Sequence, residues 1–279
     1  MNANALNRRS FVTFILLLFG LSIPVWVIGA LYDVQIFPGF QLFQLPLAMP
    51  AVTALILIYR ESGKDGLMAL LKRTYDFRNI KSKHWYLPML LTYPSMGLLD
   101  YLIQRLSGAS IPPLHFSLGI LLGYSTIFFM TYGEELGLTG YATDLLQQRH
   151  SALMAGILLG FVWAGYHIPG FIISGYYSFE WIFWHALYTI AGRVLFIWVY
   201  NNSGKSLFSM ALLHSTFGLF WMLLPATDNL QKATPYYDPR IAAFIAIAYA
   251  AIVTALWGSK TLAQYRFARS SQPLVKWST

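Results

Sequence analysis

The sequence predicts an all-α membrane protein, a polytopic bundle of about eight transmembrane helices. Of its 279 residues, 57% are hydrophobic and only 11% are charged, and this composition lies outside the usual range of soluble globular domains. The apolar residues also fall in long runs, and about 20 apolar residues are enough to cross a bilayer as a helix. Cysteine is missing, which excludes disulfides, thiolate metal sites and cysteine nucleophiles.

Eight apolar runs are the candidate spans. They are residues 11–31, 43–59, 85–104, 116–142, 151–173, 180–200, 206–224 and 241–257. The first run is too long for the apolar core of a signal peptide and no cleavage motif follows it, so we interpret it as an uncleaved anchor. The basic stretch from Arg60 to Lys83 is predicted to be a short amphipathic segment at the membrane surface. Without a repeat or a soluble domain, residues 1–279 are predicted to form a single transmembrane domain.

The basic residues predict the orientation of the spans. With eight spans, both termini share one side, and of the 19 Lys and Arg residues all but Arg105, Arg193, Lys232 and Arg240 fall there. Loops rich in Lys and Arg face the cytoplasm, so both termini are predicted to be cytoplasmic. The net charge of +8 follows from these loops, and we expect no nucleic-acid partner. A short chain with little outside the membrane favours the bacterial inner membrane.

Two adjacent carboxylates, Glu134 and Glu135, interrupt the fourth apolar run in the stretch TYGEELGLTG. Charged side chains inside a bilayer are costly, so their presence indicates function. If spans four and five form a hairpin that turns at residues 147–150, Glu134 lies opposite His167.

A second predicted hairpin places His214 at the same depth. If spans six and seven turn near residues 202–204, His214 on span seven lies opposite Arg193. At about 1.5 Å per residue, Glu134 and His214 both lie roughly 15 Å below the cytoplasmic surface. Glu134, His167 and His214 are therefore predicted to share one layer near mid-membrane.

A carboxylate and two imidazoles in one layer favour hydrolytic chemistry. The carboxylate can take a proton from water, and imidazoles can bind a metal or stabilise an oxyanion. The HExxH motif of zinc proteases is absent, as are the GxSxG and GxSG motifs of serine hydrolases. Ser174 stands in Ile-Ile-Ser-Gly, so a Ser174–His214 dyad is disfavoured.

Three motifs resemble those of a known family. Residues Glu134 to Tyr141 are similar to the EExxxR-G-Y motif of the CAAX-protease and bacteriocin-processing family of intramembrane proteases, also called CPBP or Abi. Trp163 to Pro169 resembles its FxxxH motif with the following proline, and Ser206 to His214 resembles the region of its HxxxN motif. The resemblance covers about residues 65–220.

The resemblance implies a type II CAAX prenyl endopeptidase, cleaving near the C-terminus of prenylated proteins, or a bacterial relative that processes or gives immunity to peptides. The implied partners are membrane lipid and a peptide or prenylated protein substrate. In the implied roles, Glu134 activates water, His167 and His214 are metal ligands or oxyanion donors, and Glu135 is the second motif carboxylate. A Zn²⁺ ion held by His167, His214 and Glu134 is one possible form, and metal-free hydrolysis is the other.

Two positions depart from the family motifs. Thr139 stands where the family has arginine, and Gly218 stands where it has asparagine. An arginine one turn after Glu135 would neutralise the buried carboxylate, and threonine cannot. We therefore predict that Arg193 supplies the missing cation. If the absent asparagine normally binds the oxyanion, its loss would lower the rate by about 10²–10³.

Other interpretations stay open at this stage. The glutamate pair could be a structural hydrogen-bonding pair between helices. The chain could be a non-catalytic relative that acts as an immunity or scaffold protein, which Thr139 and Gly218 favour, or a proton-coupled transporter with a relay through Glu134. His185 and Tyr188 could line the same cavity, although a structural core histidine is the simpler interpretation.

Overall fold

The computed structural model describes residues 10–37, 40–223, 237–263 and 265. Within these ranges the α-helices are α1 Phe11–Leu31, α2 Met49–Lys72, α3 Tyr86–Leu106, α4 Leu118–Met130, α5 Tyr132–Gly137, α6 Asp144–Gln147, α7 Ala152–Ser174, α8 Phe179–Asn202, α9 Leu207–Leu223 and α10 Pro239–Trp257. A small antiparallel hairpin, β1 Gln35–Phe37 with β2 Phe40–Gln41, follows α1. Several of the predicted orientation-setting basic residues lie outside the described residues: Arg8, Arg9, Lys232, Arg266, Arg269 and Lys276.

The all-α polytopic fold class is confirmed. Each of the eight predicted spans corresponds to helical structure, and five segments of the described chain are long and apolar enough to cross a membrane. These are Phe11–Leu31, Leu42–Asn79, Ala152–Ser174, Phe179–Asn202 and Pro239–Trp257. Of the other three, α3 carries Asp100 and Arg105, the fourth run is broken into short pieces, and α9 is a shorter apolar helix.

The second span extends further than predicted. A 3₁₀-helix, Leu42–Ala48, leads into α2, which continues past residue 59 to Lys72 and is followed by a 3₁₀-helix, Arg73–Asn79. The continuation is not a straight helix, because Gly63 takes a φ of 62°, which glycine adopts at little cost. This break lies close to the predicted end of the span, and the amphipathic surface segment from Arg60 to Lys83 stays a prediction.

The fourth predicted span is not one continuous helix. Helices α4 and α5 meet at Thr131, and a π-helical turn, Leu138–Thr143, joins α5 to α6. π-Helical turns are rare and are frequently found at functional sites. This one directly follows the glutamate pair, so the backbone irregularity coincides with the sequence irregularity.

Both predicted hairpins are confirmed. Helix α6 ends at Gln147 and α7 begins at Ala152, while α8 ends at Asn202 and α9 begins at Leu207. Helices α7 and α8 pack closely, because Gly160 lies against the backbone of Ile190 and a Cβ there would come within 2.7 Å of the Ile190 Cα. Small residues allow this close approach of membrane helices. The approach brings the inner faces of α7 and α8 together at the level of the glutamate pair.

Candidate active site

Glu134 lies on the first turn of α5 and is buried. Its Oε2 accepts a hydrogen bond from the indole Nε1 of Trp163 at 2.5 Å. Its Oε1 lies 3.7 Å from the Nε2 of His167. The predicted pairing of Glu134 with His167 is therefore confirmed. The Trp163 hydrogen bond fixes the carboxylate plane and turns Oε1 toward the imidazole.

The hydrogen bond on the other ring nitrogen fixes the tautomer of His167. Its Nδ1 lies 2.9 Å from the carbonyl oxygen of Trp163. Because a carbonyl only accepts, Nδ1 carries the hydrogen and donates it, which leaves a lone pair on Nε2 in the neutral ring. Two acceptors, Glu134 Oε1 and His167 Nε2, thus face each other across a gap that one water molecule can bridge with both of its hydrogens.

The second carboxylate is held by three other residues. Glu135 is fully buried, with its Oε1 2.8 Å from Arg193 Nη1 and its Oε2 3.1 Å from Arg193 Nη2. The Nδ1 of His214 donates to Oε1 at 2.9 Å. The hydroxyl of Thr139 makes a close hydrogen bond to Oε2 and accepts from Arg193 at 3.2 Å. The predicted replacement of the motif arginine by Arg193 is therefore confirmed.

Arg193 is itself enclosed by aromatic rings. Its guanidinium carbon lies 5.2 Å from the Trp163 ring centre and 4.6 Å from that of Phe196. Ring faces attract cations, and the side chain has no exposed surface. Bidentate geometry and aromatic packing are the conditions under which a buried arginine is stabilised inside a protein.

The charges of the site are not fully balanced. With both histidines neutral, Glu134, Glu135 and Arg193 sum to one negative charge. An uncompensated charge in a low-dielectric interior is costly, and the bidentate Arg193 compensates Glu135, not Glu134. The arrangement is therefore a neutralised structural pair beside a second carboxylate and two imidazoles, which are groups suited to acid–base chemistry.

Two aromatic residues of the site were not predicted from the sequence. Trp163 contacts Glu134 through its N–H, His167 through its carbonyl and Arg193 through its ring face. It stands in the motif position occupied by phenylalanine in the family, four residues before His167, and this helical spacing was the available signal. Phe196 lies three residues after Arg193 on α8, so helical spacing was the available signal there too.

The remaining candidates lie apart from the carboxylates. The hydroxyl of Ser174 donates to the Phe171 carbonyl at 2.8 Å. His185 stacks on Trp181 with ring centres 4.6 Å apart and borders one small cavity together with His167. Tyr188 packs against Phe217.

Gly218, which stands where the family motif has asparagine, faces α4. A Cβ at Gly218 would have the side chain of Ile127 as its nearest neighbour, at 3.2 Å. The Cβ of any side chain at position 218 would therefore point toward α4. Gly218 therefore adds no polar group to the site.

A metal site requires several free ligands at one point. In the ranges that the structure describes, no three His, Asp or Glu side chains are grouped so that they could hold a metal ion. Both oxygens of Glu135 are engaged by Arg193, and Nδ1 of His214 and of His167 are engaged as donors. The set Glu134, His167 and His214 does not fit a zinc ion without rearrangement, and we derive no step through a metal.

The sequence is similar to known proteins in two comparisons. Residues 114–220 match the sequence model of the family described as Rce1-like, type II CAAX prenyl endopeptidase. The CAAX prenyl protease 2 of Methanococcus maripaludis is 28% identical over 209 residues, which cover 69% of this chain and 76% of that protein. The chain is therefore similar to CAAX prenyl proteases over the region that carries the site. Glu134, Glu135, His167, Arg193 and His214 all lie between residues 114 and 220, so the whole cluster lies inside the matched region.

Proposed function

We propose that this protein is an intramembrane endopeptidase of the CAAX protease type, in which Glu134 activates a water molecule. The single observation that carries the proposal is the opposition of Glu134 Oε1 and His167 Nε2 at 3.7 Å. A general base must lie within hydrogen-bond reach of the water proton that it removes. The family and the curated relative support the reaction class.

In the first step, a water molecule bridges Glu134 and His167 and donates one hydrogen to each. Its lone pairs then point away from both acceptors, toward a bound peptide carbonyl. Glu134 removes one proton as the water oxygen bonds to the carbonyl carbon. The carbonyl π electrons move onto oxygen and give a tetrahedral oxyanion.

In the second step, the oxyanion collapses and the peptide nitrogen leaves. His214 is positioned by Glu135 through its Nδ1, and in the doubly protonated ring its Nε2 donates a hydrogen bond to the oxyanion. The proton that Glu134 removed passes to the leaving nitrogen. The C–N bond breaks, a carboxylic acid and an amine form, and the site returns to its original protonation.

The substrate and location follow from the same proposal. We propose a prenylated or otherwise membrane-bound peptide as substrate, since the base lies inside an apolar bundle that a lipid anchor can approach. We also propose that the protein is a multi-pass protein of the bacterial inner membrane with both termini in the cytoplasm, on the distribution of Lys and Arg.

One observation favours a second candidate, a non-catalytic relative with an immunity or scaffold role. Gly218 offers no hydrogen-bond donor where the family has asparagine, and its side-chain direction leads to Ile127. In that case the Glu135–Arg193 pair serves the fold alone, and Glu134 has no reacting partner.

Cleavage of a farnesylated CAAX-type peptide by the purified protein in liposomes separates the two. We expect wild-type protein to cleave it, and Glu134→Gln or His167→Ala to lower kcat by about 10²–10⁴, the range of general-base catalysis. Glu180→Gln is the matched control, because Glu180 is an exposed acid in the first turn of α8. Equal rates in wild type and Glu134→Gln would contradict the proposal and favour the non-catalytic candidate.

A further inference from the structure

The 3₁₀-helix Arg73–Asn79 contacts the π-helical turn before α6 and the turn between α8 and α9. It contains no residue of the buried cluster. Arg73, at its start, is half-buried, which is unusual for a cation in a surface segment.

The guanidinium of Arg73 joins three separate elements. Its Nη1 donates to the carbonyl of Gly140 at 3.0 Å, in the π-helical turn. Its Nη2 donates to the hydroxyl of Tyr200 at 2.9 Å, near the end of α8, and to the carbonyl of Lys205 at 3.3 Å, in the turn before α9.

Asp76 adds a second attachment from the same segment. Its carboxylate accepts from the backbone N–H groups of Leu207 and Phe208, both at 3.1 Å, and from the hydroxyl of Ser206 at 2.6 Å. These groups form the N-terminus of α9, which carries His214. A carboxylate at this place satisfies orphan N–H groups and complements the helix dipole.

The three joined elements are those that bear the buried cluster. Gly140 follows Glu135 by five residues, Tyr200 follows Arg193 by seven, and Leu207 precedes His214 by seven. At about 1.5 Å per residue, each attachment lies roughly 7–10 Å along its helix from a cluster residue. A change in the relative height of any two helices would therefore lengthen the 2.8 and 2.9 Å contacts on Glu135.

We propose that Arg73 is a positioning residue for the active site, because it joins the π-helical turn, α8 and the α8–α9 turn. It holds Glu135, Arg193 and His214 at one level. The catalytic part of this role rests on the proposed function. The structural part, the position of the His214 ring on Glu135, does not.

The test uses ¹⁵N-histidine NMR of the full-length protein in micelles. The chain has six histidines, and His214→Gln assigns the Nδ1–H signal that reports the bond to Glu135. Arg73→Ala is expected to shift or broaden this signal in protein that remains folded. Arg78→Ala, an exposed cation on the same segment, is expected to leave it unchanged.

Kinetics with the farnesylated peptide provide the second readout. Arg73→Ala is expected to lower kcat about tenfold or more with little change in KM, since a misplaced group slows chemistry without weakening substrate binding. Arg73→Lys, which can reach fewer acceptors, should give an intermediate loss. If Arg73→Ala does not fold, Tyr200→Phe removes one of the three Arg73 attachments, together with the Tyr200 hydrogen bond to Asp144, and should show the same two changes at smaller size. Asp144→Asn, which keeps the Arg73 attachments, is its control.

The outcomes separate the two proposals. An unchanged His214 signal in folded Arg73→Ala overturns the positioning role, and so does a raised KM with unchanged kcat, which would indicate substrate binding instead. If wild-type protein does not cleave the peptide, the proposed function fails, and the NMR result alone decides the positioning role.

Discussion

The guanidinium of Arg193 on α8 binds both carboxylate oxygens of Glu135 on α5, at 2.8 and 3.1 Å, across 58 positions of sequence. Neither side chain has exposed surface. The pair is therefore a buried ion pair between two helices, whereas the EExxxR motif that this stretch resembles has the arginine on the same helix as the glutamate.

Removing one partner of this pair should be strongly destabilising. Arg193→Ala leaves Glu135 uncompensated and is expected to lower the free energy of unfolding by about 3–5 kcal/mol. Glu135→Ala in the Arg193→Ala background should cost much less than it does alone, because the charge has already lost its partner. Denaturant unfolding in detergent of the two single variants and the double variant measures this coupling. Additive losses would show that the two residues do not act as a pair.

Moving the cation back to the family position is a sharper test. Thr139 lies one turn from Glu135 and already hydrogen-bonds to it, so an arginine there can reach the same carboxylate. We expect Thr139→Arg to recover part of the stability that Arg193→Met loses, and to destabilise the wild-type protein by adding a second buried cation. Thermal unfolding of the single and double variants gives the comparison. Thr139→Met is the size control, and equal recovery by it would refute the charge argument.

Trp163→Phe should affect activity more than stability. The substitution restores the family residue and keeps a ring against Arg193, but removes the N–H that orients Glu134. We expect kcat to fall about tenfold, since one lost hydrogen bond to a charged group is worth about 1.5–3 kcal/mol, with a small change in melting temperature. Trp184→Phe, on the outer part of α8, is the control. A wild-type kcat in Trp163→Phe would show that the indole is only a packing element.

The contact between α7 and α8 can be tested with two glycines of one helix. A methyl group at Gly160 would meet the Ile190 backbone at 2.7 Å, whereas one at Gly165 meets nothing within 4 Å. Gly160→Ala is therefore expected to destabilise by about 1–3 kcal/mol, as overpacking does. Gly165→Ala should be neutral or slightly stabilising, because alanine favours the helix. Similar unfolding curves for the two variants would contradict the observed packing.

Whether the protein binds a metal ion can be measured directly. Because the described side chains form no group that could hold a metal ion, we expect purified wild-type protein to contain no stoichiometric zinc by elemental analysis. The metal content of His167→Ala should equal that of wild type. About one zinc per chain in wild type that falls in His167→Ala would establish the zinc form, with His167 as a ligand.

Much of this architecture could be predicted because hydropathy and helical spacing are local properties. The helix hairpins fixed which residues lie at one depth, and from this the contacts of Glu134 with His167 and of Arg193 with Glu135 followed. The depth of a residue in a hairpin depends only on the turn position and the rise per residue.

The features that escaped prediction depend on non-local packing or on a break in regular geometry. The π-helical turn after Gly137 follows no hydrophobic pattern, and neither does the continuation of α2 to Lys72. The role of Trp163 could not be separated from ordinary aromatic packing, since hydropathy does not show where an indole N–H points. The guanidinium of Arg73 contacts groups 67 to 132 residues away, which no local pattern reveals.

The separation of Glu135 from Arg193 has a consequence for biogenesis. A glutamate with an arginine one turn later is neutralised as soon as its own helix forms, but here the counter-charge is 58 residues downstream. At the usual synthesis rate of about 5–20 residues per second, roughly 3–12 seconds pass before the ribosome has added Arg193. During that interval the counter-charge of Glu135 has not been synthesised, so the buried ion pair can form only after α8 has been made.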